Sequence, residues 1–141
     1  MVLFEYKQGD LWAHHTLDEV PNTENLTMHA HTGCELYCFL RGEGYYTVEG
    51  NHYLLTPGTI LLIRSGETHM PHIRPTGAYE RIAVHFPAEY LAGEDPALTA
   101  LFDDRPLGVD NCYPPEAADL DYLRSTLLRL CSTTATAGAT R

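Results

Sequence analysis

From Leu26 to Phe86 the chain is a string of short runs rich in β-branched and aromatic residues, broken so often by turn formers that no helix-period segment fits among them. The runs LTMHAH, ELYCFL, YYTVE, HYLLT, TILLI and YERIAVHF are separated by Thr32-Gly33, Gly42-Glu43-Gly44, Gly50-Asn51, Pro57-Gly58, Ser65-Gly66 and Pro75-Thr76-Gly77. Strands at this spacing pair across tight turns, which predicts a mainly β domain built as a barrel or a two-sheet sandwich.

Pro87 cannot continue the last strand, and the pattern beyond it is helical. Asp95 and Pro96 are a cap and first-turn pair for a short helix through Leu98, Leu101 and Phe102. Pro115 opens a second helix, whose Leu120, Leu123, Leu127 and Leu130 recur as a heptad-like stripe. Such a stripe either packs on the outside of the barrel or forms an inter-subunit seam, and the second reading makes these four leucines the expected dimer interface. The expected layout is an N-terminal arm (1–25), a β-barrel core (26–90), a helical segment (91–131) and a disordered tail (132–141). The arm holds Phe4, Tyr6, Leu11 and the single tryptophan, Trp12, too apolar a set to be left free. It is expected to add a strand or to cross the barrel mouth.

At 141 residues the chain suits one domain with a sizeable core. A formal net charge of −10, with only nine Lys and Arg, argues against a nucleic-acid or anionic-membrane surface on these residues. The cysteines Cys34, Cys38, Cys112 and Cys131 show no C-x-x-C spacing and read as reduced thiols. No secretory signal precedes the barrel and no apolar run approaches the about 18 residues that span a bilayer, so a soluble, cytoplasmic protein is expected.

The sharpest chemical pattern is His-x-His-x3-Glu at His29, His31 and Glu35, with His69 further on in IRSGETHMPH. On a strand, residues i and i+2 share a face, so His29 and His31 project together. Glu35 lies roughly 13 Å further along a straight strand, too far to share one ion, so a turn at Thr32-Gly33-Cys34 must fold it back. Imidazoles with one carboxylate suit a divalent transition metal (Zn, Ni, Mn or Fe) with positions left open. The alternative is a polar barrel lining satisfied by hydrogen bonds or ligand hydroxyls. His72 and His85 could replace one ligand.

Tyr37 and Phe39 share strand parity with Glu35 and would provide aromatic walls for a ligand pocket. Arg81 and His85 share one face of their strand with Ala83 and are expected to look into the cavity and orient a small molecule. Trp12 is a further ligand-binding candidate, able to stack on a ring from the arm.

Taken together these residues resemble the N-terminal sensory domain of bacterial transcription regulators of the AraC family. The resemblance runs from about Met28 to Leu130 and is carried by HAHTGCELYCFLRGEGYYTVEGNHYLLTPGTILLI, RSGETH and YERIAVHFPAEYL. It implies a cupin-type double-stranded β-barrel (jelly roll) followed by two C-terminal helices. It also implies a small-molecule effector, often a sugar or other metabolite, and pairing of two subunits through a helix; no catalytic residues are expected. In the family DNA is read by a C-terminal domain with two helix-turn-helix units; that part is absent here, so the chain is expected to be a fragment of a longer regulator. Arg64 stands where the general cupin motif has Pro, and Ile73 where it has Asn, which weakens a catalytic reading. The competing expectation is a small metal-dependent cupin enzyme, a dioxygenase, isomerase or decarboxylase, in which Glu35 or His69 also handles protons. A third is a bare structural or dimerisation module.

Overall fold

Turn chemistry places the strands where the spacing predicts, and register then decides which side chains meet. A computed structural model of the chain describes residues 1–21, 33–117 and 120–129. Its strands are β1 (Val2–Gln8), β2 (Leu11–Asp18), β3 (Gly33–Arg41), β4 (Gly44–Val48), β5 (Asn51–Leu55), β6 (Ile60–Ile63), β7 (His69–Ile73), β8 (Tyr79–Pro87) and β9 (Cys112–Tyr113). They form two antiparallel sheets, ordered β1-β2-β8-β3-β6-β9 and β5-β4-β7. The expected run LTMHAH, with His29 and His31, lies outside the described residues.

Alternation along β3 sorts its side chains to two sides of the large sheet. Tyr37 and Phe39 point between the sheets, where they pack with Tyr46, Val48, Leu55, Leu61, Ile63, Ile73 and Tyr79. Cys34 and Cys38 point outward into a second cluster with Ile60, Leu62, Ile82, Leu91 and Phe102. This outer cluster is covered by a short 3-10 helix (Ala88–Leu91), by α1 (Pro96–Asp103) and by a further helix, α2 (121–129). Asp95 caps α1, its Oδ1 accepting from the Ala97 N–H at 2.9 Å with Pro96 in the first turn. Pro115 lies in a turn before α2 and does not open it.

Two of the stripe leucines are buried in this outer cluster. Leu120 and Leu127 are 8% and 9% exposed in the single chain, with Leu123 packed alongside. Leu120 and Leu127 thus cover the chain's own sheet, the first of the two packings that the stripe allows, which leaves little of them for a partner. Leu130 lies outside the described residues.

The N-terminal residues form the β1–β2 hairpin, which extends the large sheet beyond β8. Strand β7 is an addition to the expected set. Its Pro71 lowers any strand expectation for HMPHI, yet among the described residues β7 pairs with β4 alone and lies at the edge of its sheet, where a missing N–H can be tolerated. The pairing is close: a Cβ on Gly44 would sit 2.0 Å from the His72 carbonyl oxygen, so only glycine fits there.

Candidate functional site

Strand register builds the site as rows across the inner face of the large sheet. Trp12 pairs with His85 and His85 with Glu35; His14 pairs with Ala83 and Ala83 with Tyr37; Thr16 pairs with Arg81 and Arg81 with Phe39. Because each row steps by two residues along its strand, all of these side chains share the interior face.

The first row is polar. Glu35 is 5% exposed, its Oε1 lies 3.2 Å from His85 Nδ1 and its Oε2 lies 3.9 Å from His69 Nε2, which reaches in from the opposite sheet. The Tyr46 hydroxyl donates to Glu35 Oε2 at 3.4 Å. Burial raises the Glu35 carboxyl to about 7, because the charged form loses its water and the long bond from Tyr46 offsets little of that. His69 is fully buried, and its Nδ1–H donates to the Glu67 carbonyl at 2.8 Å, which turns Nε2 toward Glu35. A carboxylate flanked by two imidazoles is the kind of donor set that a divalent transition ion takes. Among the described residues no group of three or more His, Cys, Asp or Glu closes a metal cluster by itself. His29 and His31, the other expected ligands, lie outside the described residues.

Beside Glu35 stands a set of stacked rings. Trp12 lies on His85 with centroids 4.8 Å apart and planes 18° apart, and His14 lies 4.6 Å from Trp12 and 5.7 Å from His85. Trp12 Nε1–H donates to Glu5 at 3.0 Å, and His14 Nδ1 is hydrogen-bonded to the Thr16 hydroxyl at 2.8 Å. Burial, and then the nearby Arg81 cation, lower the His14 pKa and favour its neutral form. Arg81 itself is committed: its Nη1 donates to Asp18 at 2.7 Å and its guanidinium lies 4.3 Å over the Tyr79 ring. Deeper in, the Tyr37 and Tyr79 hydroxyls share a hydrogen bond of 2.7 Å, and burial holds the Tyr37 and Tyr46 phenols well above their usual range. Phe39 is fully buried and closes the floor.

Of the expected site residues, Glu35, His69, His85, Trp12, Tyr37, Phe39 and Arg81 are therefore brought to one interior. His72 is not. It alternates with His69 along β7 and stacks on Tyr45 across the outer side of the small sheet, 4.4 Å away. The residues that sequence reasoning passes over are His14, Tyr46 and Tyr79. The alternation of LWAHHTLD already sets Trp12, His14, Thr16 and Asp18 on one side, but only the pairing of β2 with β8 shows which side is inward.

No curated protein matches the chain by sequence. Among solved structures, a cupin protein from Bacteroides fragilis is similar with a TM-score of 0.51 at 18% identity, over 62% of this chain and 75% of that one. The hydroxypropylphosphonic acid epoxidase of S. wedmorenis, in complex with fosfomycin, gives a TM-score of 0.45 at 23% identity, over 55% of this chain and 44% of that one. The chain thus spans less than half the length of that enzyme, and the likeness to the Bacteroides fragilis protein, at 18% identity, concerns the fold alone. The fold is cupin-type and mainly β, with two facing antiparallel sheets and two helices. The sequence profile of the AraC-like ligand binding domain matches residues 19–109, well over half of the chain. The chain belongs to the family of AraC-like ligand binding domains.

Proposed function

We propose that this chain is the effector-sensing part of a transcription regulator, taking a small polar metabolite between its two sheets without transforming it. The observation that carries this reading is the ring stack of Trp12, His14 and His85 beside the buried Glu35 carboxyl. Flat aromatic faces can cover the apolar side of a sugar or similar compact molecule, while Glu35, Thr16 and the imidazoles supply hydrogen-bond partners for its hydroxyls. Phe39, Leu61 and Ile63 form the apolar floor beneath.

A divalent ion belongs to the same reading. Glu35 and His69, with His29 and His31 from the sequence motif, would hold it, and His85 flanks the carboxylate. When bound, such an ion supplies a Lewis-acid anchor for an effector oxygen. Glu67 holds the His69 ring by its carbonyl, and Tyr46 holds one Glu35 oxygen. DNA binding would come from a further domain of a longer chain in the cytoplasm. No helix among the described residues is long and apolar enough to cross a membrane. Pairing of two copies would use surface other than Leu120 and Leu127; on α2 the exposed Tyr122 and Leu128 are available.

A second reading has one observation in its favour. A carboxyl held at about 7 can take and give protons near neutral pH, as a small cupin enzyme would need. One experiment weighs both readings. Trp12 is the single tryptophan, so the domain is titrated with sugars, polyols and small carboxylic acids while its fluorescence is followed. Saturable change at one molecule per chain, weakened by His85→Ala, with the compound recovered intact, supports sensing. Catalytic consumption of the compound would overturn it.

A further inference from the structure

A buried ion pair ties His69, the imidazole beside Glu35, to the loop that leads toward α2. Glu67 is fully buried, and its carboxylate accepts from Arg105 Nη1 at 2.7 Å and Nη2 at 2.8 Å, Gly108 N at 2.7 Å, Arg64 N at 2.8 Å and Asn111 Nδ2 at 3.1 Å. Every donor but Arg64 comes from the 104–111 loop. The same loop reaches both sheets. Asn111 Nδ2 donates to the Leu62 carbonyl at 2.9 Å, while the Gly108 carbonyl accepts from Asn51 Nδ2 at 2.8 Å and from the Tyr53 hydroxyl. Gly108 is at φ +77°, and a Cβ there would lie 2.6 Å from Glu49 Cβ, so the loop is seated at close range. Beyond it, Cys112 pairs with Leu61 of β6 and the chain continues to α2.

The main chain of the same glutamate holds the imidazole that approaches Glu35. Its carbonyl accepts the His69 Nδ1–H at 2.8 Å, and His69 Nε2 lies 3.9 Å from Glu35. One residue thus has its carboxylate fixed by the loop and its carbonyl fixed to the imidazole. A buried carboxylate that loses one of its donors must move or take up water, because an uncompensated charge is not tolerated in place. Movement of Glu67 carries its carbonyl, and the carbonyl sets the tautomer and angle of His69.

Resting on the interior-site reading above, we propose that Glu67 is a positioning residue. Through it the seating of the 104–111 loop sets His69, so that occupancy of the pocket and docking of the loop are coupled. Such coupling is reciprocal: whatever binds better to one arrangement of His69 also favours the matching arrangement of the loop.

The test uses the whole chain and Zn2+ alone as probe. Arg105→Lys removes the two-pronged contact, and Asn111→Ala, a milder change, serves if the first variant does not fold. In the wild type the His69 Nδ1–H, identified by its long-range proton–nitrogen correlation, should exchange slowly. In a folded clasp variant it should exchange at least about tenfold faster, and Zn2+ should bind about tenfold or more weakly, the usual effect of losing an outer support of a metal ligand. In the wild type Zn2+ should slow exchange of the Gly108 amide. Unchanged His69 exchange in the folded variants would overturn the proposal. Glu35→Gln separates the two readings, since it should abolish Zn2+ binding and leave the His69 signal slow. If the wild type takes up no Zn2+, the metal reading fails on its own and the His69 exchange alone decides the coupling.

Discussion

Replacing Glu35 by Gln should stabilise this domain at alkaline pH and do nothing for it in acid. The Glu35 carboxyl titrates at about 7 in the folded chain against 4.5 for an ordinary glutamate, because burial removes water from the charged form. With a folded value above the unfolded one, the protonated folded state is favoured at low pH. Stability falls as pH rises from about 4.5 through 7. At about 1.4 kcal/mol for each tenfold change in proton affinity, the ionised carboxylate costs the fold about 3 kcal/mol above pH 7. Glutamine has nearly the same shape and no charge to desolvate, so it should recover most of that at pH 8. The bond lost from Tyr46, at 3.4 Å, is too long to reverse the sign. Urea unfolding followed by Trp12 fluorescence, in a metal chelator at pH 4.5 and pH 8, measures both ends. A Gln variant equally destabilised at both pH values would refute the reasoning, since it would mean that Glu35 is held by contacts that compensate its charge.

Glu67 should give the opposite slope. Its contacts with Arg105 and the loop amides hold it at about 2 despite burial, so the stability it contributes, about 3 kcal/mol, is complete above pH 4.5 and is lost as pH falls toward 2. Acid unfolding should flatten in Glu67→Gln, and an unchanged acid limb would contradict this. Leu127→Asp should unfold the domain by circular dichroism, since a charge in the outer cluster costs several kcal/mol. A folded monomer from a wild-type dimer would instead restore the seam. The chelated domain should take up near one equivalent of Zn2+ by elemental analysis and melt at higher temperature, and His69→Gln should remove both effects. No uptake would leave these residues as a polar lining.

Strands β3 to β6 and β8 were legible because each is bounded by glycine or proline turns, and parity alone put Tyr37 and Phe39 with Glu35, and Arg81 with His85. What parity leaves undetermined is which strands become neighbours. Nothing local says that β2 lies beside β8, so the stacking of Trp12 on His85 and the inward turn of His14 emerge only from the register. Pro71 hid β7, because a strand tolerates its missing N–H at an edge, and the sequence does not mark the edge that β7 takes among the described strands. The leucine stripe of α2 was ambiguous for a physical reason: the same heptad spacing buries a helix against its own sheet or against a copy. Nothing in the sequence marks Glu67, and only the return of the chain at Arg105 to Asn111 makes it the centre of a buried network.

Whether a compound bound beside Trp12 and Glu35 leaves unchanged separates a sensor from an enzyme. Proton NMR of the compound that shifts Trp12 fluorescence, incubated with metal-loaded domain in air and followed over hours, tests it most directly. For a sensor, the compound's signals should broaden saturably at one site per chain, and its spectrum should recover fully on denaturing the protein. New product signals exceeding one equivalent of protein, lost in Glu35→Gln, would contradict sensing and make this pocket an active site.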